Sequence, residues 1–363
     1  MAYRGRFPGL YVFTAVLAGA ALADQGHIYW AQSYEDAINR SDLDGHAPQT
    51  LLIWPQLDDA VAVAVDPSGG RLYWVQTNPV GIYRARLNGK NIETLLEWPA
   101  VDGPVALAVD PAAHKLYWAQ RSPSSIRRAN FDGSNAETIA AWPAVDGPVA
   151  LAVDAPGGKV YWAQTTPEGI RRVSLAGGPV QPILAFPQVD DPVAVAVDSV
   201  AGKVYWAESL FPERIRRADL NGENPETVVF WPGVDDPTAI AVDSICGRLY
   251  WSQRSFPDRI RRSDLSGTNV ATILEWPEVD GPVGVAIDPA IRPYGDIFPW
   301  SGGNGVVDVD DLFCVLDGFA APSLCLGADI YPCGGGDGID VDDVFALLDA
   351  FADMFSCPHA CAQ

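Results

Sequence analysis

An all-β, six-bladed β-propeller is the fold this sequence predicts, on three observations. The dipeptide Tyr-Trp stands at residues 29–30, 73–74, 117–118, 161–162, 205–206 and 250–251, at steps of 44, 44, 44, 44 and 45. Each repeat holds four short apolar runs separated by turn signals, the strand count of a propeller blade. The array enters on the second run of a unit, HIYWAQ, and leaves on a first run, PVGVAID at 282–288. Three strands from one end and one from the other then complete a blade, so the ring closes without an exposed sheet edge. A small α-helical domain built from a pair of acidic loop-helix units follows, and the chain divides into 1–23, 24–292 and 293–363.

Residues 1–23 read as a cleavable signal peptide. Arg4 and Arg6 form a basic region, Leu10 to Ala23 is apolar, and Ala-Leu-Ala at 21–23 offers a small-x-small cleavage site. The apolar stretch is shorter than the roughly 20 residues of a membrane span, and no later segment qualifies as one. The mature chain is therefore expected to be secreted: extracellular, on a cell surface or periplasmic, where disulfides persist. Net charge is −22, and residues 293–363 contribute twelve aspartates with no Lys, Arg or Glu. This sign argues against nucleic acid as a partner and suits hard cations. Cys246 stands alone in the first three hundred residues, where it reads as a small buried hydrophobe, while Cys314, Cys325, Cys333, Cys357 and Cys361 crowd the tail.

Within the repeat, VAVAVD at 61–66 and 193–198 is apolar on both faces, as a fully buried strand requires. Its small residues place it innermost, with the large aromatics filling the wider spaces further out. Trp-Pro begins each linker (Trp54, Trp98, Trp142, Trp231 and Trp276, with Phe186 in blade four), and packing on the outer strand is expected of it. The linkers end in Val-Asp or Leu-Asp followed by Gly or Asp, which sets Asp58, Asp102, Asp146, Asp190, Asp235 and Asp280 on one face. Turn chemistry is the expected role of these aspartates, ahead of an axial cation site. The arginine pairs 127–128, 171–172, 216–217 and 261–262 alternate sides of a strand, one expected to meet carboxylates and the other solvent.

The repeat resembles the class B, or YWTD, repeat of the low-density-lipoprotein receptor family. The resemblance rests on Leu-Tyr-Trp, on Ile38-Asn39-Arg40-Ser41-Asp42-Leu43-Asp44-Gly45 and on Ala64-Val65-Asp66-Pro67. It implies a six-bladed propeller that binds proteins. In place of Thr-Asp the chain has Ala-Gln, Val-Gln, Ala-Glu or Ser-Gln. Any blade-to-blade bond made by that Asp falls to Gln32, Gln76, Gln120, Gln164, Glu208 and Gln253, or is not made.

In the tail, NGVVDVDDLFCVLDGFA at 304–320 and DGIDVDDVFALLDAFA at 337–352 each run an acidic, Gly-containing loop into an apolar segment of helical spacing. Helix capping by surplus aspartates is one reading. Calcium binding is the other, since Gly305 and Asp311 have EF-hand-like spacing; in the second copy Gly338 to Asp343 is one residue shorter. The pair resembles a dockerin domain of the cysteine- and glycine-bearing variant appended to exported bacterial proteins. That resemblance implies Ca2+ as cofactor and a cohesin-like or other surface partner. The candidate ligands are Asp296, Asn304, Asp308 and Asp311, then Asp329, Asp337, Asp340 and Asp343.

No catalytic motif is present: the four histidines have no metal-ligand neighbours, and H-E-x-x-H, G-x-S-x-G and phosphate loops are absent. The expected function is a non-enzymatic binding or display module for a protein or glycan, attached through its tail. A metal-dependent lactonase or lyase using the acidic face is the alternative. Blades five and six break the repeat together. Their loops SLFPERI (209–215) and RSFPDRI (254–260) are one residue longer than the others and offer Phe211, Glu213, Arg214, Phe256, Asp258 and Arg259 as a protein-binding patch.

Overall fold

The computed structural model describes residues 26–289. The strands are β1 (His27–Gln32), β2 (Ala37–Asp42) and β3 (Gln49–Leu52) in blade one, then β4 (Ala60–Asp66), β5 (Arg71–Thr77), β6 (Val80–Arg86) and β7 (Glu93–Glu97) in blade two. Blade three is β8 (Pro104–Asp110), β9 (Lys115–Arg121), β10 (Ser124–Asn130) and β11 (Glu137–Ala141). Blade four is β12 (Pro148–Asp154), β13 (Lys159–Thr165), β14 (Glu168–Ser174) and β15 (Gln181–Ala185). Blade five follows with β16 (Pro192–Asp198), β17 (Lys203–Glu208), β18 (Arg214–Asp219) and β19 (Glu226–Phe230). Blade six has β20 (Pro237–Asp243), β21 (Arg248–Gln253), β22 (Arg259–Asp264) and β23 (Ala271–Glu275), after which β24 (Pro282–Asp288) pairs antiparallel with β1. That pairing gives blade one the order β24-β1-β2-β3, so the predicted closure is the observed one.

The Tyr-Trp interval follows from strand geometry. Adjacent residues of a strand point to opposite faces, so each dipeptide sends its Tyr toward one neighbouring blade and its Trp toward the other. Tyr29 shares a core cluster with Trp74, Tyr73 with Trp118, Tyr117 with Trp162, Tyr161 with Trp206, Tyr205 with Trp251 and Tyr250 with Trp30. These twelve are the largest fully buried side chains among the described residues. The inner strands ring the axis as expected, around a cavity of about 90 Å³ with Val63, Leu107, Leu151, Val195, Ile240 and Val285 in its wall.

Glutamine and glutamate after the Trp act inside the blade. The indole Nε1 of Trp30, Trp74, Trp118, Trp162 and Trp206 donates to the side chain two residues on, at 2.8–3.1 Å. Blade-to-blade bonds come instead from arginine. Nη1 of Arg40, Arg84, Arg128, Arg172, Arg217 and Arg262 donates to the main-chain carbonyl of Leu87, Phe131, Leu175, Leu220, Leu265 and Leu43, at 2.5–3.3 Å. Each acceptor lies in the next blade, and the last returns to blade one. The expectation that one arginine of each pair faces solvent is corrected. Arg127, Arg216 and Arg261 lie 5.3–5.9 Å over the rings of Trp118, Trp206 and Trp251 and donate back to the preceding linker, at Ala100, Gln188 and Gly233. A guanidinium stacks on an indole while keeping its in-plane donors free, so it can do both. Cys246 is likewise corrected: it is half-buried in a turn and disulfide-bonded, with its amide donating to Asp243 Oδ1 at 3.0 Å.

Candidate functional site

Linkers between blades and hairpin loops between second and third strands share one face, here called the upper; the remaining turns lie on the lower face. Each linker is a strap with one anchor. Leu57, Val101, Val145, Val189, Val234 and Val279 are fully buried between blades. The residue just before the next inner strand has a left-handed φ of 44–59° in all six linkers (Asp59, Gly103, Gly147, Asp191, Asp236 and Gly281). Gly and Asp tolerate that conformation, which accounts for the Asp-Gly and Asp-Asp steps by turn chemistry.

The aromatic that begins each strap does not pack on the outer strand as expected. Trp54, Trp98, Trp142, Phe186, Trp231 and Trp276 are 51–69 % exposed. The apolar peg three residues later already fills the space between blades, so the ring is left at the rim. The six straps, from the aromatic to the left-handed residue, hold ten carboxylates and no basic residue, and among the described residues none of these carboxylates is in an ion pair.

Blades five and six depart from this pattern where the sequence does. Their upper hairpins open into five residues, between Glu208 and Arg214 and between Gln253 and Arg259. Phe211 is 70 % exposed and Phe256 84 %. Each ring meets the strap Trp of its own blade, Phe211 to Trp231 at 6.0 Å edge-on and Phe256 to Trp276 at 6.3 Å. Of the charged candidates, Asp258 is buried and Glu213, Arg214 and Arg259 are half-buried. Arg214 Nε donates to Glu208 Oε2 at 2.5 Å, and Asp258 is buried, accepting the Gly281 amide at 2.6 Å. Arg259 lies 3.7 Å from Glu275. Glu213 contributes its main-chain carbonyl to the Trp231 amide at 3.2 Å.

A cavity of about 300 Å³ opens between these blades and blade one, lined by Val193, Ser209, Asp236, Pro237, Thr238, Arg254 and Val283. Arg254 bridges it, with Nε to the Pro282 carbonyl at 3.2 Å and Nη2 to Ser33 Oγ at 3.1 Å. Sequence reasoning missed Ser209 and Arg254 as wall residues. The signal was there, since both open the two longer loops. The axial cavity offers little chemistry: Thr238 is its one polar side chain, and its hydroxyl is paired with Ser252 at 2.8 Å. Among the described residues no three His, Cys, Asp or Glu side chains converge to hold a metal ion. The signal segment and the tail candidates Asp296, Asn304, Asp308, Asp311, Asp329, Asp337, Asp340 and Asp343 lie outside the described residues. No helix among the described residues is long and apolar enough to cross a membrane.

No family model matches the chain, and no curated protein matches it by sequence. Solved structures do resemble it. The structure of a nidogen/laminin complex superposes with a TM-score of 0.63 at 17 % identity, over 72 % of this chain and 98 % of that one. TolB from Acinetobacter baumannii gives 0.59 at 12 % identity, over 73 % and 67 %. A TolB-type protein from Agrobacterium tumefaciens gives 0.51 at 14 % identity, over 72 % and 91 %. At these identities the likeness is one of fold, and the chain is a six-bladed β-propeller.

Proposed function

We propose that this propeller is an exported binding module that engages a protein partner through the upper face of blades five and six. The reading rests on one observation. Where the sixfold repeat breaks, two exposed Phe–Trp pairs, Phe211–Trp231 and Phe256–Trp276, are carried by the loops whose first residues, Ser209 and Arg254, line a cavity of about 300 Å³. Exposed aromatics around a concave site are the usual anchors of protein interfaces, and leaving them in water has no structural benefit to the isolated ring. That nidogen, one of the similar folds, was determined in complex with laminin agrees with such a role. The acidic tail then attaches the module to a surface partner, with calcium bound by its loops. No catalytic step is needed.

The test is capture of partners from an exported-protein fraction by the full chain. The double variant Phe211→Ala, Phe256→Ala is expected to fold with unchanged Tm and to lose the propeller's partner, and a chelator wash is expected to release only partners held by the tail. An unchanged partner set in the double variant would refute the upper-face reading.

A further inference from the structure

On the lower face, blades two and three carry a polar cleft between them. The first residue of each second strand is basic, and its cross-strand partner is normally able to accept a hydrogen bond: His27 faces Asp42, Lys115 Asn130, Lys159 Ser174, Lys203 Asp219 and Arg248 Asp264. Residues paired in this way project to the same side of the sheet, as the ion pairs Lys203–Asp219 (2.5 Å) and Arg248–Asp264 (2.6 Å) show. In blade two the pair is Arg71 and Arg86. Among the described residues neither guanidinium has an ion pair or a side-chain hydrogen bond. Like charges directly opposite destabilise a sheet; Arg71 keeps Asp66, its register partner on β4, but lacks the second anion that blades five and six supply on their third strand.

Beside Arg71 lies a cleft of about 350 Å³, walled by Arg71, Tyr73 and Arg84 from blade two and by His114 and Phe131 from blade three. Both residues from blade three are departures from the repeat. His114 holds φ +52° where the corresponding turns have Gly70, Gly158, Gly202 and Gly247, and Phe131 replaces the leucine found as Leu43, Leu87, Leu175, Leu220 and Leu265. The two rings meet edge-on at 5.7 Å, and Phe131 lies 5.1 Å from Tyr73. Arg84 is balanced by Glu93 at 2.6 Å. Asp66 also lines the cleft, with Oδ1 engaged by the Gly69 amide at 2.9 Å and the Ser68 hydroxyl at 2.7 Å. Arg71 faces Asp66, its register partner on β4, and feels the charge of Glu93, which is already bound by Arg84, with His114 across the cleft.

We propose that the cleft between blades two and three binds a small molecule bearing an oxyanion. Arg71 from the cleft wall and Arg86, its exposed cross-strand neighbour outside that wall, clasp a phosphate, sulfate or carboxylate group, and the apolar part of the ligand lies against Phe131 and His114. Guanidinium forks match the geometry of such groups, and the anion restores the cross-strand charge balance of the other blades.

Full-length protein is titrated with sodium phosphate, sulfate and citrate against sodium chloride at matched ionic strength, following Tm and heat of binding. At least one oxyanion is expected to raise Tm above the chloride control and to bind in the millimolar range or tighter. Arg86→Asp installs the arginine–aspartate pair of blade six. It is expected to raise Tm without ligand and to weaken oxyanion binding at least about tenfold. Arg71→Gln, which keeps the strand pattern, should show the same loss of affinity, and His114→Gly a smaller one. No oxyanion-specific rise in Tm up to about 50 mM, or undiminished binding by Arg86→Asp and Arg71→Gln, would overturn the proposal.

Discussion

Glu208 occupies a position that is glutamine in the other five blades, and its surroundings have adapted to the charge. The side chain is 1 % exposed, accepts the Trp206 indole N–H at 2.8 Å, and has Arg214 at 2.5 Å and Arg216 at 3.7 Å. Breaking a buried ion pair from one side strands the remaining charge. Glu208→Gln keeps an acceptor for Trp206 and leaves Arg214, at the mouth of a hairpin, within reach of water; a loss of about 1 kcal/mol is expected. Glu208→Leu orphans the indole N–H and removes the carboxylate from both Arg214 and Arg216, leaving Arg216 only the Gln188 carbonyl, and a loss of about 3 kcal/mol is expected. Urea unfolding of the two variants separates these values. The substitution itself was legible in the sequence. Its consequence was not, because Arg216 reaches Glu208 only when it lies back over Trp206.

The strap is the element whose parts behave most differently from their hydropathy. Val145 and Trp142 are both apolar and three residues apart, yet one is fully buried and the other 68 % exposed. Val145→Ala is expected to destabilise by about 2 kcal/mol, from lost methyl groups and a residual cavity. Trp142→Ala is expected to stay within about 0.5 kcal/mol of the parent. Thermal unfolding of the pair decides the point. Four strands per repeat, their order from the axis outward and the upper-face position of the linkers were all readable, since period and turn residues dictate them. Which strap residue faces the core was not readable, because it depends on where the neighbouring blade lies. The same limit hid the arginine ring. Its acceptors are main-chain carbonyls, which leave no side-chain signature, and Arg40, Arg84, Arg128, Arg172, Arg217 and Arg262 look from sequence like ordinary surface cations. The Arg71–Arg86 pair became visible only with strand register.

For the molecule as a whole, the repeated tyrosines set an upper limit of pH. Burial pushes the Tyr250 hydroxyl up to about 12, and burial also moves Tyr73, Tyr117, Tyr161 and Tyr205 upward. In the unfolded chain these groups ionise near 10, so the native state binds their protons more tightly. Stability from this source is complete below about pH 10 and is lost as pH rises through the native values. The tyrosinate absorbance of these buried groups is therefore expected to appear in one cooperative step together with loss of β-sheet circular dichroism between about pH 10 and 12, on top of the signal of exposed tyrosines such as Tyr34. A gradual titration with the sheet intact would contradict it. The ring resists piecemeal opening for a related reason: Arg262, in blade six, reaches the Leu43 carbonyl across the same seam that β24 and β1 close. That seam also gives the molecule a direction. β1 begins and β24 ends at the lower face, with Gly26 in contact with Asp288 and Pro289, so both polypeptide connections depart from one side. The face with the tryptophan rim and the two Phe–Trp pairs is the one turned away from both connections, so neither connection obstructs it.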